Sequence, residues 1–204
     1  MFLILKKRET GLFFIFYCVL YSLLADLIIN PVIRSTSGNA FIPLRIYTIV
    51  EFTLVALFLK TVIKSVKVKK GIQISIFLFV IYAIIDLYIS KSVSFDSIPS
   101  GVSCILTLLF SIYYLYEQIR DPNNLFLYSS PHFWIVVGLI IYFSGTFFVY
   151  IFSQSNYDNP EFKASFTVIN ASFIILRNLL FSIAFIIKPG KEEENRLKTR
   201  RVVL

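Results

Sequence analysis

The chain has 204 residues, 57% of them hydrophobic and only 16% charged, with a net charge of +8 and a mean hydropathy of +0.76. Soluble domains carry about 25% charged residues, so these values exclude an ordinary soluble globule and point to a chain held mostly in a bilayer. The positive balance does not mark a specific nucleic-acid binder, because the lysines and arginines stand at the ends of apolar runs.

In chain order, residues 1–9 start apolar and end in Lys6-Lys7-Arg8-Glu9. No small-residue cleavage site follows, so the next run reads as a retained helix and not a signal peptide. That first predicted span, Thr10 to Ile29, is closed by Asn30-Pro31, a pair that disfavours further helix. Residues 30–42 read as a loop. The second span runs from about Leu44 to Ile63, behind Pro43, and ends in the cluster Lys60, Lys64, Lys67, Lys69 and Lys70. Gly71 closes the cluster, and the third span covers Ile72 to Ile89.

Residues 90–101 form a polar loop punctuated by Pro99 and Gly101. The fourth span runs from Val102 to about Leu115, or on through Ile119, before the turn signal Asp121-Pro122-Asn123-Asn124. The fifth follows Pro131 and reaches Phe152, with Trp134 and Tyr150 placed as interfacial aromatics. Residues 153–165 are polar again, and the sixth span covers Phe166 to Ile187. Runs of about 20 apolar residues are what a helix needs to cross a bilayer. The expected fold is therefore an all-α polytopic bundle of six transmembrane helices: a membrane domain over residues 1–187 and a charged cytoplasmic tail over 188–204.

Cytoplasmic loops are enriched in lysine and arginine. With the N-terminus inside, the inner segments hold 15 of the 20 basic residues and the outer segments hold four, Arg34, Arg45, Lys91 and Lys163. Arg177 falls within the sixth span. The bias places both termini in the cytoplasm. In the tail, Glu192 with Arg196 and Glu194 with Lys198 are i,i+4 pairs in the better order for a helix. Such a tail either lies near anionic headgroups or docks a cytoplasmic partner.

Charged residues within the spans are the candidates for function, since they are costly there and face a bundle interior or a wet cavity. They are Asp26, Glu51, Asp86 and Arg177. From the rise per residue, Asp26 and Asp86 lie roughly 5 Å below the outer surface, Glu51 about 10 Å and Arg177 about 16 Å. Arg45 stands at the outer mouth, Tyr47 lies one turn above Glu51 on its face, and Asn170 is two turns from Arg177. Two arrangements fit: a buried structural pair of Glu51 with Arg177, or an acidic cavity open to the outside that takes a cation, a proton or a polar ligand. Gly138 and Gly145, seven apart on one face, suit close helix packing. Lys64, Lys67, Lys69 and Lys70 form the basic inner face.

The one histidine, His132, lies at a span edge, which leaves no pair of histidines for haem and no histidine-rich metal site. No lysine is central in a span, no serine–histidine pairing is available, and no phosphate-binding glycine motif occurs. Cys18 and Cys104 read as small apolar residues within spans. Neither a cofactor nor an enzymatic activity is expected.

The segments IYTIVEF (Ile46–Phe52), PHFWIVVGLIIYFSGTFF (Pro131–Phe148) and INASFIILRNLLFSIAF (Ile169–Phe185) resemble a family of small, uncharacterised bacterial multi-pass membrane proteins. These are similar to free-standing membrane-sensing modules found near two-component sensor kinases. The resemblance covers most of residues 10–187 and implies one more span ahead of Lys6-Lys7-Arg8, where this chain has Met-Phe-Leu-Ile-Leu. A weaker resemblance is to membrane accessory proteins encoded beside antiviral systems of the CRISPR type. Together these readings imply a non-enzymatic sensing or signalling module. Its partners would be the bilayer, a cytoplasmic kinase or defence effector, and a second copy in a homo-oligomer. The alternative from another class is a small channel or transporter.

Overall fold

The computed structural model describes residues 10–35, 41–89, 97–121, 127–156 and 159–187. Among these, every regular element is helical. Six long helices follow one another: α1 (Thr10–Ser35), α2 (Phe41–Val62), α3 (Val66–Ile89), α4 (Ser97–Ile119), α5 (Pro131–Asn156) and α6 (Pro160–Ile186), with one short 3-10 turn at Leu127–Ser129. Four of them, α3 to α6, are long and apolar enough to cross a membrane. In α1 the apolar stretch is the shorter Gly11–Ala25, and α2 carries Arg45, Glu51 and Lys60 within its 22 residues.

The helices are longer than the apolar runs, and the prolines explain much of the difference. Pro43 and Pro99 are the third residues of α2 and α4, and Pro131 and Pro160 the first of α5 and α6. In a first turn the missing N–H has no intrahelical acceptor to lose, and the ring presets a helical φ. Pro99 and Gly101 thus belong to α4 and not to a loop. Pro31 does not end α1, whose helical backbone continues to Ser35 and forgoes one hydrogen bond.

The lysine cluster differs too. Only residues 63–65 connect α2 to α3, so Lys67, Lys69, Lys70 and Gly71 form the first turns of α3. The polar stretch 153–165 is mostly helix, interrupted near Asn159, whose side chain accepts from the amides of Glu161 and Phe162 at 2.9 and 3.4 Å. That is an N-cap, and it starts α6 one and a half turns before the apolar run.

Chain neighbours pack against each other, most extensively α4 on α5 and α5 on α6, while α2 touches α1, α3 and α4. Phe52, Val55, Phe58 and Leu59 of α2 and Ile135, Val136, Leu139 and Tyr142 of α5 form the centre of the core. Much of α3 and α6 faces outward, with Phe77, Tyr88, Val168 and Ile186 all more than 60% exposed. Apolar surface on that scale is foreign to a soluble monomer and natural against lipid. Lys6-Lys7-Arg8, the tail with Glu192 and Arg196, and the side chain of Asp26 lie outside the described residues.

Candidate functional site

Gly138 and Gly145 of α5 set the geometry of the site. A Cβ at Gly145 would stand 2.2–2.5 Å from ring carbons of Phe173, and one at Gly138 would stand 3.1–3.3 Å from Phe181 and Leu180. The two glycines therefore admit α6 close against α5, with an aromatic ring of α6 seated at each. Tyr142 lies between them on α5. On α6, residues 173, 177 and 181 recur every four positions and share one face, which places Arg177 between the two phenylalanines. Its guanidinium carbon lies 4.3 Å from the centre of the Tyr142 ring and 5.8 Å from that of Phe181. A cation over an aromatic face, away from water, gains about 2 kcal/mol.

Arg177 is 1% exposed and Glu51 7%. Arg177 Nη1 donates to Glu51 Oε1 at 2.7 Å, a charge-assisted hydrogen bond between residues 126 positions apart. Helices α2 and α6 do not otherwise pack extensively along their backbones, so the long arginine side chain spans the distance. Tyr47, one turn before Glu51, donates its hydroxyl to the same Oε1 at 3.1 Å. A tyrosine hydroxyl has one proton; the contact between Tyr47 and Ser22 Oγ, at 3.0 Å, therefore has Ser22 of α1 as donor. Tyr21 stacks on Tyr47 with ring centroids 5.7 Å apart. On the far side, the Tyr142 hydroxyl lies 3.5 Å from that of Tyr150, which donates to Asn170 Oδ1 at 3.4 Å. Side chains of α1, α2, α5 and α6 thus meet in one interior polar network.

The other sequence candidates fall into separate places. Arg45 is buried and pairs with Asp86 of α3, Nη1 to Oδ2 at 3.2 Å, and also donates to the Asp86 carbonyl at 3.1 Å. Glu51 and Asp86 therefore each have an arginine partner, which leaves them little free negative charge to receive a cation. Asn170 joins Tyr150 and not Arg177. Lys64 pairs with Asp121, Lys60 donates to Gln73 at 2.9 Å, and Lys67, Lys69 and Lys70 sit on the first turn of α3. No cluster of three or more potential metal ligands occurs among the described residues.

Two features were not singled out from the sequence. Glu117 of α4 accepts from the amides of Lys64 and Ser65, at 2.6 and 2.9 Å, and so caps the start of α3 from another helix. Ser100, Ser103, Thr107 and Ser111, all buried, form a hydroxyl stripe on α4, with Ser100 near Thr48 of α2. Their i, i+3, i+7 and i+11 spacing was readable as one helix face; the reach of Glu117 to a distant loop was not.

No protein-family model matches the chain, and neither curated proteins nor solved structures show a detectable similarity to it.

Proposed function

We propose that the chain is a non-enzymatic, six-span protein of a bacterial inner membrane, with both termini in the cytoplasm, that senses a stimulus in or outside the bilayer and reports it to a cytoplasmic protein. The observation that carries this reading is the buried Glu51–Arg177 pair. It ties α2 to α6, the helix that leads into the charged tail, across a gap that backbone packing does not close. A perturbation that shifts α2 or α1 therefore pulls on α6 through Tyr47, Glu51 and Arg177. Buried, hydrogen-bonded ion pairs have discrete made and broken states, which is what a two-state signalling element requires. The pairing of Glu51 and Asp86 with arginines favours this reading over cation conduction.

Two measurements test it. Single cysteines placed at residues 66 and 157 should react with impermeant reagent from opposite sides of the membrane; reaction from the same side overturns the topology. A cytoplasmic kinase or effector that co-purifies with the full chain should be lost when residues 188–204 are deleted, and should change its activity in the Arg177→Leu variant. Partner recovery and activity unchanged in both variants would count against a signalling role.

A further inference from the structure

The three-residue α2–α3 connection meets the end of α4 around a cavity of about 360 Å³ lined by Lys64, Tyr113, Tyr116, Glu117, Arg120 and Asp121. Its formal charges balance, and both carboxylates are already engaged by donors of the α2–α3 connection. Each oxygen of Glu117 already accepts a backbone amide, and Asp121 holds the ammonium of Lys64. Arg120 is exposed and spends one N–H on the Tyr116 hydroxyl at 2.8 Å, its guanidinium 5.4 Å from that ring. A guanidinium has five N–H donors and an ammonium three, so Arg120 keeps charged donors beyond its bond to Tyr116, and Lys64 keeps donors beyond its contact with Asp121.

Its surroundings carry the same sign. Among the described residues at this end of the bundle, Lys60, Lys64, Lys67, Lys69, Lys70 and Arg120 face only Glu117 and Asp121. Lys67, Lys69 and Lys70 stand at the N-terminal end of α3, where a helix dipole disfavours cations. An unfavourable cluster of this kind is relieved by an external anion. The tyrosine walls add a second requirement. Tyr116 is 52% exposed at the end of an apolar helix, the depth at which amphipathic rings meet lipid headgroups and glycerol.

We propose that this cavity binds the phosphate of an anionic phospholipid headgroup. Arg120 and Lys64 donate to the phosphate, the lysines of α3 supply the surrounding field, and Tyr113 and Tyr116 flank the glycerol. Basic pockets between the cytoplasmic ends of transmembrane helices bind such headgroups by the same chemistry. The site rests on the orientation proposed above, and it places a lipid beside the loop that joins α2, the helix of Glu51, to α3.

The test uses the full chain in a neutral detergent, with thermal unfolding followed as phosphatidylglycerol, phosphatidylcholine or inorganic phosphate is added. Phosphatidylglycerol should raise Tm at lipid fractions where phosphatidylcholine does not, and Arg120→Gln should raise the fraction needed at least fivefold. Lys163→Gln, at the opposite end, should leave the response intact. For the unaltered protein, native mass spectrometry should retain one phosphatidylglycerol per chain, and high salt should release it. An equal response to both lipids, an unchanged response in Arg120→Gln, or a full response to inorganic phosphate alone would each overturn the headgroup site. These results do not depend on sidedness, so same-side labelling at residues 66 and 157 would overturn the orientation separately.

Discussion

Arg177 of α6 holds Glu51 of α2 through a single 2.7 Å contact while its guanidinium rests on the face of Tyr142. Removing either charge leaves the other buried, whereas removing both leaves neither. Breaking a buried pair costs about 3–5 kcal/mol, and replacing both partners by apolar residues is often nearly neutral. Arg177→Leu should therefore lower the unfolding temperature in detergent markedly, and Glu51→Leu in that background should recover most of the loss. Simple addition of the two single effects would show that the residues are not coupled.

Tyr47 is the relay between Ser22 and Glu51, so its removal should make Ser22 irrelevant. Interhelical hydrogen bonds in membranes are worth about 0.6–1.7 kcal/mol. Tyr47→Phe should destabilise within that range. Ser22→Ala should cost a measurable part of it alone and nothing further in the Tyr47→Phe background. A denaturant-based double-mutant cycle reads the coupling, and full additivity would remove Tyr47 from the network.

At Gly145 an added methyl group meets the Phe173 ring well inside contact distance, while at Gly138 the approach is only slightly tight. Overpacking costs about 1–3 kcal/mol. Gly145→Ala should fall in that range and be rescued by Phe173→Leu, which withdraws the ring. Gly138→Ala should be the milder change. Equal unfolding temperatures for the two alanine variants would contradict the seating of Phe173 on Gly145.

Glu117 caps amides of the α2–α3 connection from α4, and losing an N-terminal cap costs about 0.5–2 kcal/mol. Glu117→Ala should speed hydrogen exchange in a peptide covering residues 63–70 and leave one covering 135–145 unchanged. Uniform acceleration of both would indicate global loosening instead of a lost cap.

Among the described residues, the six long helices fall where the apolar runs do, because apolar run length is a local property, although only α3 to α6 are long and apolar enough to cross a membrane. The charged positions inside the helices are legible for the same reason: an acid among leucines stands out at once. Helix ends were less legible. Pro43 and Pro99 look like loop punctuation, yet a first-turn proline begins a helix as readily as it closes a loop. Partner choice needed the tertiary structure. These helices are apolar nearly all round, so periodicity cannot tell a lipid face from a core face, and Glu51 could be read as paired or as lining a cavity. What joins Glu51 to Arg177, Arg45 to Asp86 and Glu117 to the Lys64 and Ser65 amides is the meeting of helix faces far apart in the chain. That meeting is set by side-chain shape, above all by Phe173 and Phe181 seated against Gly145 and Gly138, which brings Arg177 over Tyr142 and within reach of α2.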